Sequence, residues 1–198
     1  MKYIFYRVIA LAICLTLFPA FIFIYLIFKL VSKNSFFFVQ KRAGKDKKIF
    51  NMYKIRTMIN HAEKMQKQLI SHNEADGPVF KIYNDPRYTK IGRFLAHTGL
   101  DELPQLINII KGEMSFVGPR PLPVKEANSV PNKFKDRFIV LPGITSPWIV
   151  YGAHALSFNR WMNLDLEYIK KQSLTYDIQI IHKTLITILN LLKNNIVK

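Results

Sequence analysis

The sequence predicts an α+β fold that is mainly helical: an N-terminal re-entrant membrane helix-kink-helix over residues 1–33, then a small domain over residues 34–198 with a short β-hairpin and interfacial helices. Three observations carry that expectation. Val8 to Phe28 contains no charged residue and has Pro19 at its middle. Phe36 to Met58 alternates in character around a turn at Gly44, as a hairpin does. Beyond Ile59, apolar residues recur at three- and four-residue spacing, which lines one face of a helix. At 198 residues the chain accommodates one compact domain and an appendage.

The apolar run admits three readings: a signal peptide, a spanning helix or a membrane hairpin. No small-residue cleavage site follows it; Ile27-Phe28-Lys29-Leu30-Val31-Ser32-Lys33 is a poor one. A helix from Val8 to Phe28 reaches about 31 Å, enough to cross the hydrocarbon of a bilayer. Pro19 removes a backbone hydrogen bond and bends such a helix. Lys2 and Arg7 precede the run, and Lys29 and Lys33 follow it. A simple span prefers its basic flank on one side. Bases at both ends suit a helix that enters the cytoplasmic leaflet, breaks at Pro19 and returns. The single cysteine, Cys14, lies inside the run, so there is no disulfide framework and no cysteine-based metal site.

The elements follow in order. Phe36 to Gln40 is an aromatic strand leading into a Lys41–Asp46 turn, and Ile49 to Met58 returns alongside it. Seven bases between Lys41 and Arg56 form a juxtamembrane cluster suited to anionic lipid headgroups. Lys54 and Arg56, two apart on one strand face, are candidates for binding phosphate. Ile59 to Ser71 reads as an amphipathic helix through Ala62, Met65 and Leu69. Tyr88 to Ala96 is a short helix started after Asp85-Pro86. A helix after Leu100 stops at Lys111-Gly112. Pro119, Pro121 and Pro123 disfavour regular structure and hold Arg120 in a stiff loop. Pro131 to Phe138, Phe158 to Lys170 and Tyr176 to Lys193 complete the helices; the last either lies on the membrane surface or packs into the core.

Asp101 and Glu102 stand out within Thr98-Gly99-Leu100-Asp101-Glu102-Leu103-Pro104-Gln105-Leu106. Helices tolerate a proline only near their first turn, so Pro104 places both acids at the positive end of a helix dipole. Carboxylates there commonly do no more than cap the helix. Arg120, in Gly118-Pro119-Arg120-Pro121, presents a guanidinium suited to phosphate a few residues further on.

Charge and missing motifs narrow the chemistry. Lys and Arg number 29 against 13 Asp and Glu, a net charge of +16 that implies an anionic partner. No nucleic-acid module is present, so a membrane-tethered nucleic-acid binder rests on charge alone. There is no His-Glu-x-x-His, no Cys-x-x-Cys, no Gly-x-x-x-x-Gly-Lys-Ser/Thr and no Gly-x-Ser-x-Gly. Carboxylate, arginine, lysine and a hard metal remain.

Several of these segments together carry a resemblance. Tyr53-Lys54-Ile55-Arg56-Thr57-Met58, Asp76-Gly77-Pro78-Val79-Phe80-Lys81, Asn84-Asp85-Pro86-Arg87-Tyr88-Thr89-Lys90-Ile91-Gly92-Arg93, the dyad segment, Lys111 to Pro121, and Leu141-Pro142-Gly143-Ile144-Thr145 resemble the bacterial sugar transferases. These are monotopic polyprenyl-phosphate phosphoglycosyl transferases. The resemblance runs from Phe36 to about Thr184, with an apolar N-terminal segment of the expected kind, although Phe18 stands where that family commonly has Ser before the proline.

The resemblance implies an enzyme at the cytoplasmic face of a bacterial inner membrane. It would pass a sugar 1-phosphate from a nucleoside diphosphate sugar, a UDP-sugar as the expected donor, to polyprenyl (undecaprenyl) phosphate. Asp101 would attack the sugar-bearing phosphorus to give an aspartyl phosphosugar, and Glu102 would hold Mg²⁺. Arg120, Lys54, Arg56, Gly118, Pro119, Arg93 and Asp165 are the implied substrate-binding residues. Tyr168, in the same stretch as Asp165, is at least as consistent with core packing.

Three further positions depart from that pattern. Ala96 replaces an Arg that many relatives carry five residues before the dyad Asp. After Pro142-Gly143-Ile144-Thr145 the usual Gln and Arg have become Ile149 and Ala153. Lys90, Arg93 and His97 are the candidates to compensate. The departures leave open a second reading, a catalytically weakened relative acting as a membrane scaffold for polysaccharide assembly.

Overall fold

The computed structural model describes residues 2–31, 35–152 and 156–196. The expected domain boundary at residues 33 and 34, the flanking Lys33 and the departure at Ala153 lie outside the described residues. The fold is mostly helical, with two small sheets.

Helix α1 (Lys2–Val31) runs through Pro19 without interruption. One missing backbone bond in so long a helix leaves its neighbours paired, so the expected bend does not divide it into two helices. By length and composition Lys2–Leu30 is apolar enough to cross a membrane. Its N-terminal half is nevertheless part of the core: Tyr6 and Ala10 are buried against Phe50, Met52, Leu106, Ile109 and Met114. Lys2 Nζ pairs with Asp177 Oδ2 at 2.8 Å, and Tyr6 Oη donates to the same oxygen at 2.6 Å. At the other end, Tyr25 and Phe28 pack edge-on against Phe36, with ring centroids 5.5 and 5.3 Å apart. Between these anchors Val8, Leu11, Leu15, Phe18, Ile22 and Phe23 are exposed.

The expected hairpin forms from β1 (Phe37–Ala43) and β2 (Ile49–Ile55), antiparallel with Gln40 opposite Met52 and Phe38 opposite Lys54. A third strand adds to it. After β3 (Ser115–Val117), β4 (Leu122–Pro123) pairs with β1 at Arg42 and Ala43, so the proline-rich segment is not free of regular structure. Pro123 is tolerated because β4 lies at the sheet edge. The second sheet, β3 with β5 (Gly143–Thr145), is parallel. Strands of three residues carry too little alternation to stand out in sequence.

The expected helix over Ile59–Ser71 is α2 (Ala62–Met65) followed by a 3₁₀ segment, Gln66–His72. Only Ala62 of that stretch is buried, and a short helix that buries little surface is marginal in water. Helix α3 (Lys90–Thr98) is capped by Thr89, whose Oγ1 accepts from the Gly92 N–H at 2.9 Å. The dyad lies in a 3₁₀ turn, Leu100–Gln105, that leads into α4 (Leu106–Lys111) and stops at Gly112 in the left-handed conformation. Helix α5 (Val124–Asn128), a 3₁₀ turn at Asn132–Phe138 and α6 (Pro147–Val150) precede two long helices. These are α7 (Phe158–Lys171), whose first N–H is accepted by Asp76, and α8 (Leu174–Ile196). The last helix packs into the core on one face, where Asp177 and Ile180 are fully buried, and leaves Ile178, Leu185 and Leu189 exposed on the other.

Candidate active site

The dyad is set by three contacts of its neighbourhood. Gly99, with φ at 74°, reverses the chain after α3, a conformation that favours glycine. Asn108, fully buried on α4, donates from Nδ2 to the Asn51 carbonyl at 2.7 Å and accepts from the Tyr53 N–H at 3.2 Å, stitching β2 to the dyad element. Lys54, the next residue on β2, thereby reaches both acids. Its Nζ lies 2.7 Å from Glu102 Oε1 and 3.3 Å from Asp101 Oδ2.

Arg120 closes the cluster from the other side, Nη2 donating to Glu102 Oε1 at 2.8 Å. Its loop is held at two carbonyls. Arg42 Nη1 donates to the Pro121 oxygen at 3.1 Å, and Arg137 Nη2 to the Arg120 oxygen at 2.9 Å. Arg137 is itself fixed by Asp165, 2.9 Å away. Arg42, Met52, Glu102, Gln105, Arg120 and Pro121 line a small cleft at this point.

The two acids differ electrostatically. Burial pushes the Asp101 carboxyl above its ordinary value, Lys54 draws it back and the adjacent Glu102 pushes it up again. Burial alone would raise Glu102 as well, but Arg120 and Lys54 outweigh it and hold that carboxyl well below the usual range. Glu102 is therefore a permanent anion between two cations. Asp101, with a weaker share of Lys54, is the carboxylate that further positive charge would activate.

Four expected residues converge: Asp101, Glu102, Lys54 and Arg120. Five do not contact the cluster as expected. Arg56 Nε bonds to the Ser35 carbonyl at 3.0 Å, and its guanidinium lies over Phe38. Arg93 is exposed on α3 and makes none of the cluster's bonds. Asp165 is completely buried beneath Arg137, which leaves it no face toward a substrate; burial raises it to about 6 against the pull of Arg137. Gly118 and Pro119 are buried and position Arg120: Gly118 lies so close to the Leu141 carbonyl and Gly143 that a side chain has no room. Tyr168 is core, its hydroxyl donating to Asp177 Oδ1 at 2.7 Å. The other candidates to compensate for Ala96 likewise make none of the cluster's bonds among the described residues. Lys90 is exposed, and the His97 ring stacks on Tyr83 at 4.6 Å. Ala96 and Ile149 are half-buried.

Sequence reasoning did not single out Arg42, Lys81 or Trp148. The Lys81 ammonium and the Arg120 guanidinium both lie over the Trp148 ring, 4.9 and 5.9 Å from its centre. Position in the Asp76–Lys81 segment was the only available signal for Lys81.

The donor set fits a hard divalent cation in one way only. Among the described residues no three His, Cys, Asp or Glu side chains converge. Two adjacent carboxylates beside a cationic cleft do match Mg²⁺, which is commonly held by one or two carboxylates together with substrate phosphates.

Comparison with known proteins agrees with the geometry. Residues 1–191 match the family described as Bacterial sugar transferase. The chain is 42% identical over 153 residues to the galactosyl transferase CpsE of Streptococcus agalactiae, an alignment covering 77% of this chain and 34% of that protein. It is 37% identical over 151 residues to the undecaprenyl-phosphate galactose phosphotransferase of Salmonella typhimurium, covering 73% and 31%. These relatives are thus about three times longer than the stretch they share with this chain. The exopolysaccharide production protein ExoY of Rhizobium meliloti is 34% identical over 185 residues, 91% of this chain and 82% of that protein.

Proposed function

The chain belongs to the bacterial sugar transferase family, and on that premise we propose that it transfers a sugar 1-phosphate from a UDP-sugar to undecaprenyl phosphate, initiating a bacterial polysaccharide or glycoconjugate. The reaction class is supported by the Streptococcus relative, a galactosyl transferase, and the Salmonella relative, an undecaprenyl-phosphate galactose phosphotransferase. The observation that carries the reading for this chain is the convergence of Asp101 and Glu102 with Lys54 and Arg120. That convergence favours an active enzyme over a scaffold.

In the first step an Asp101 carboxylate oxygen attacks the sugar-bearing phosphorus. The phosphorus–oxygen bond to the nucleotide breaks, and nucleoside monophosphate leaves with the electron pair. In the second, an oxygen of the lipid phosphate attacks the same phosphorus and the Asp101 carboxylate departs. An anion attacking a diphosphate must overcome charge repulsion. Lys54 steers the Asp101 oxygen while neutralising part of its charge, and Arg120 offers phosphate oxygens a planar fork. Glu102, with Asp101 beside it, would hold Mg²⁺, whose charge offsets that of the diphosphate.

The lipid acceptor keeps its phosphate at the interface, so the site must sit there too. Both ends of α1 touch the same domain, through Lys2 with Asp177 and through Tyr25 and Phe28 with Phe36. A domain on one side of a bilayer cannot touch both ends of a helix that crosses the hydrocarbon. The contacts support an α1 that stays in the cytoplasmic leaflet beside the domain.

The test uses the full chain in membranes with undecaprenyl phosphate and a panel of nucleotide sugars. Monophosphate release from one of them is expected, together with sugar phosphate left on the protein when lipid is withheld. Unchanged turnover by Asp101→Asn would overturn the scheme.

A further inference from the structure

Lys81 differs from the other cations of the cluster. Lys54 and Arg120 share Glu102, but no carboxylate lies within ion-pair distance of Lys81 among the described residues. Its ammonium sits over Trp148 beside Arg120, and Trp148 is buried with its ring 4.6 Å from that of Trp161. The acid that acts on it through space is Glu74, whose Oε2 is already taken by the Tyr83 N–H at 2.9 Å. Two half-buried cations within 6 Å of one indole ring, with a single carboxylate paired to Arg120, leave positive charge unbalanced there. Such charge is costly unless an anion arrives.

The groups also stand in sequence: Asp101 next to Lys54, Lys54 on Glu102, Glu102 on Arg120, and Arg120 beside Lys81 over Trp148. The attacking oxygen is at one end and the unpaired ammonium at the other. We infer that Lys81 and Arg120, seated on Trp148, bind the phosphate of the departing nucleotide. The inference rests on the proposed function and adds the leaving-group seat to it. As the bond from Asp101 to phosphorus forms, the bridging oxygen leaves with its electron pair and negative charge gathers on the nucleotide's phosphate. A cation at that spot stabilises the transition state more than the bound donor.

Burial and the Arg120 charge lower the Lys81 ammonium to about 8, with Glu74 pulling the other way. Lys81 therefore loses its charge in mildly alkaline solution, while Arg120, held up by Glu102, keeps its own. Uridine monophosphate, fully ionised above neutrality, is a direct probe of it.

The experiment measures uridine monophosphate binding to the detergent-solubilised full chain, and the kinetics of transfer from the active UDP-sugar. Lys81→Met is expected to weaken monophosphate binding about tenfold or more, the scale of a lost charge-assisted contact. The donor kcat/KM should fall comparably, the KM for undecaprenyl phosphate should hold, and Lys81→Arg should restore most of the loss. In the unaltered chain, affinity for the monophosphate should weaken between pH 7 and 9.5. Affinity that is flat across that range, or unchanged in Lys81→Met, overturns the inference. So does a raised KM for undecaprenyl phosphate with donor kinetics intact, which would place the lipid phosphate there instead. Failure of the unaltered chain to release monophosphate from any nucleotide sugar would remove the parent function, a result distinct from these.

Discussion

Arg137 and Asp165 form an ion pair closed to solvent, 2.9 Å from Nη2 to Oδ2, and the same Nη2 holds the Arg120 carbonyl at 2.9 Å. A buried pair so placed transmits order from α7 to the loop that carries the Arg120 guanidinium. Asp165→Asn leaves Arg137 buried without its counter-charge, which commonly costs about 3–5 kcal/mol. A thermal melt in detergent should show that loss. Replacing both residues with leucine should recover much of the stability but not the activity, because the Arg120 carbonyl remains unheld.

Glu102 predicts an acid dependence. Its folded value is held below the unfolded one by Arg120 and Lys54, so its contribution to stability is present above the ordinary carboxylate value. It is lost only as pH falls toward the depressed value. Glu102→Gln should lower the melting temperature at pH 7, with charge-assisted contacts worth about 1.5–3 kcal/mol each at stake. The gap to the unaltered chain should begin to narrow below about pH 4 and go on narrowing as the pH falls further.

Metal removal is a separate check on the same pair of acids. Chelation of divalent ions should stop nucleotide release, and Mg²⁺ should restore it. Glu102→Gln should need more Mg²⁺ for half-maximal release, and an unchanged requirement would take Glu102 out of that role.

At the N-terminal end of α1, Asp177 receives Lys2, Tyr6 and Tyr168 within 2.8 Å. Asp177→Leu should release the N-terminal half of α1, seen as new protease cleavage there and a loss of about 3–5 kcal/mol. Cysteines introduced at Lys2 and Ser35 should both react with an impermeant thiol reagent from the cytoplasmic side. Labelling of the two from opposite sides would mean that α1 crosses.

Gly118→Ala tests the ladder beneath Arg120. A methyl group would press on the Leu141 carbonyl and lie 2.9 Å from the Gly143 nitrogen, forcing β3 and β5 apart. Overpacking of this kind costs about 1–3 kcal/mol. Donor affinity should fall further than stability, measured at a temperature where the variant is fully folded.

Part of this protein was determined by sequence alone. The apolar run, the hairpin and the long C-terminal helices rest on local periodicity, which is written along the chain, and they form where expected. The dyad and Arg120 were readable because proline and glycine mark their positions. The protein partners of Asp165 and Arg56 were not readable for the opposite reason: a charged residue in a motif looks the same whether it meets a substrate or another part of the protein. Only the tertiary structure decided that Asp165 is spent on Arg137, that Lys54 and not Arg56 reaches the acids, and that Lys81 arrives beside Arg120. Those partners are separated by 28, 47 and 39 positions, and pairing across such distances depends on strand register and helix packing rather than on neighbouring residues.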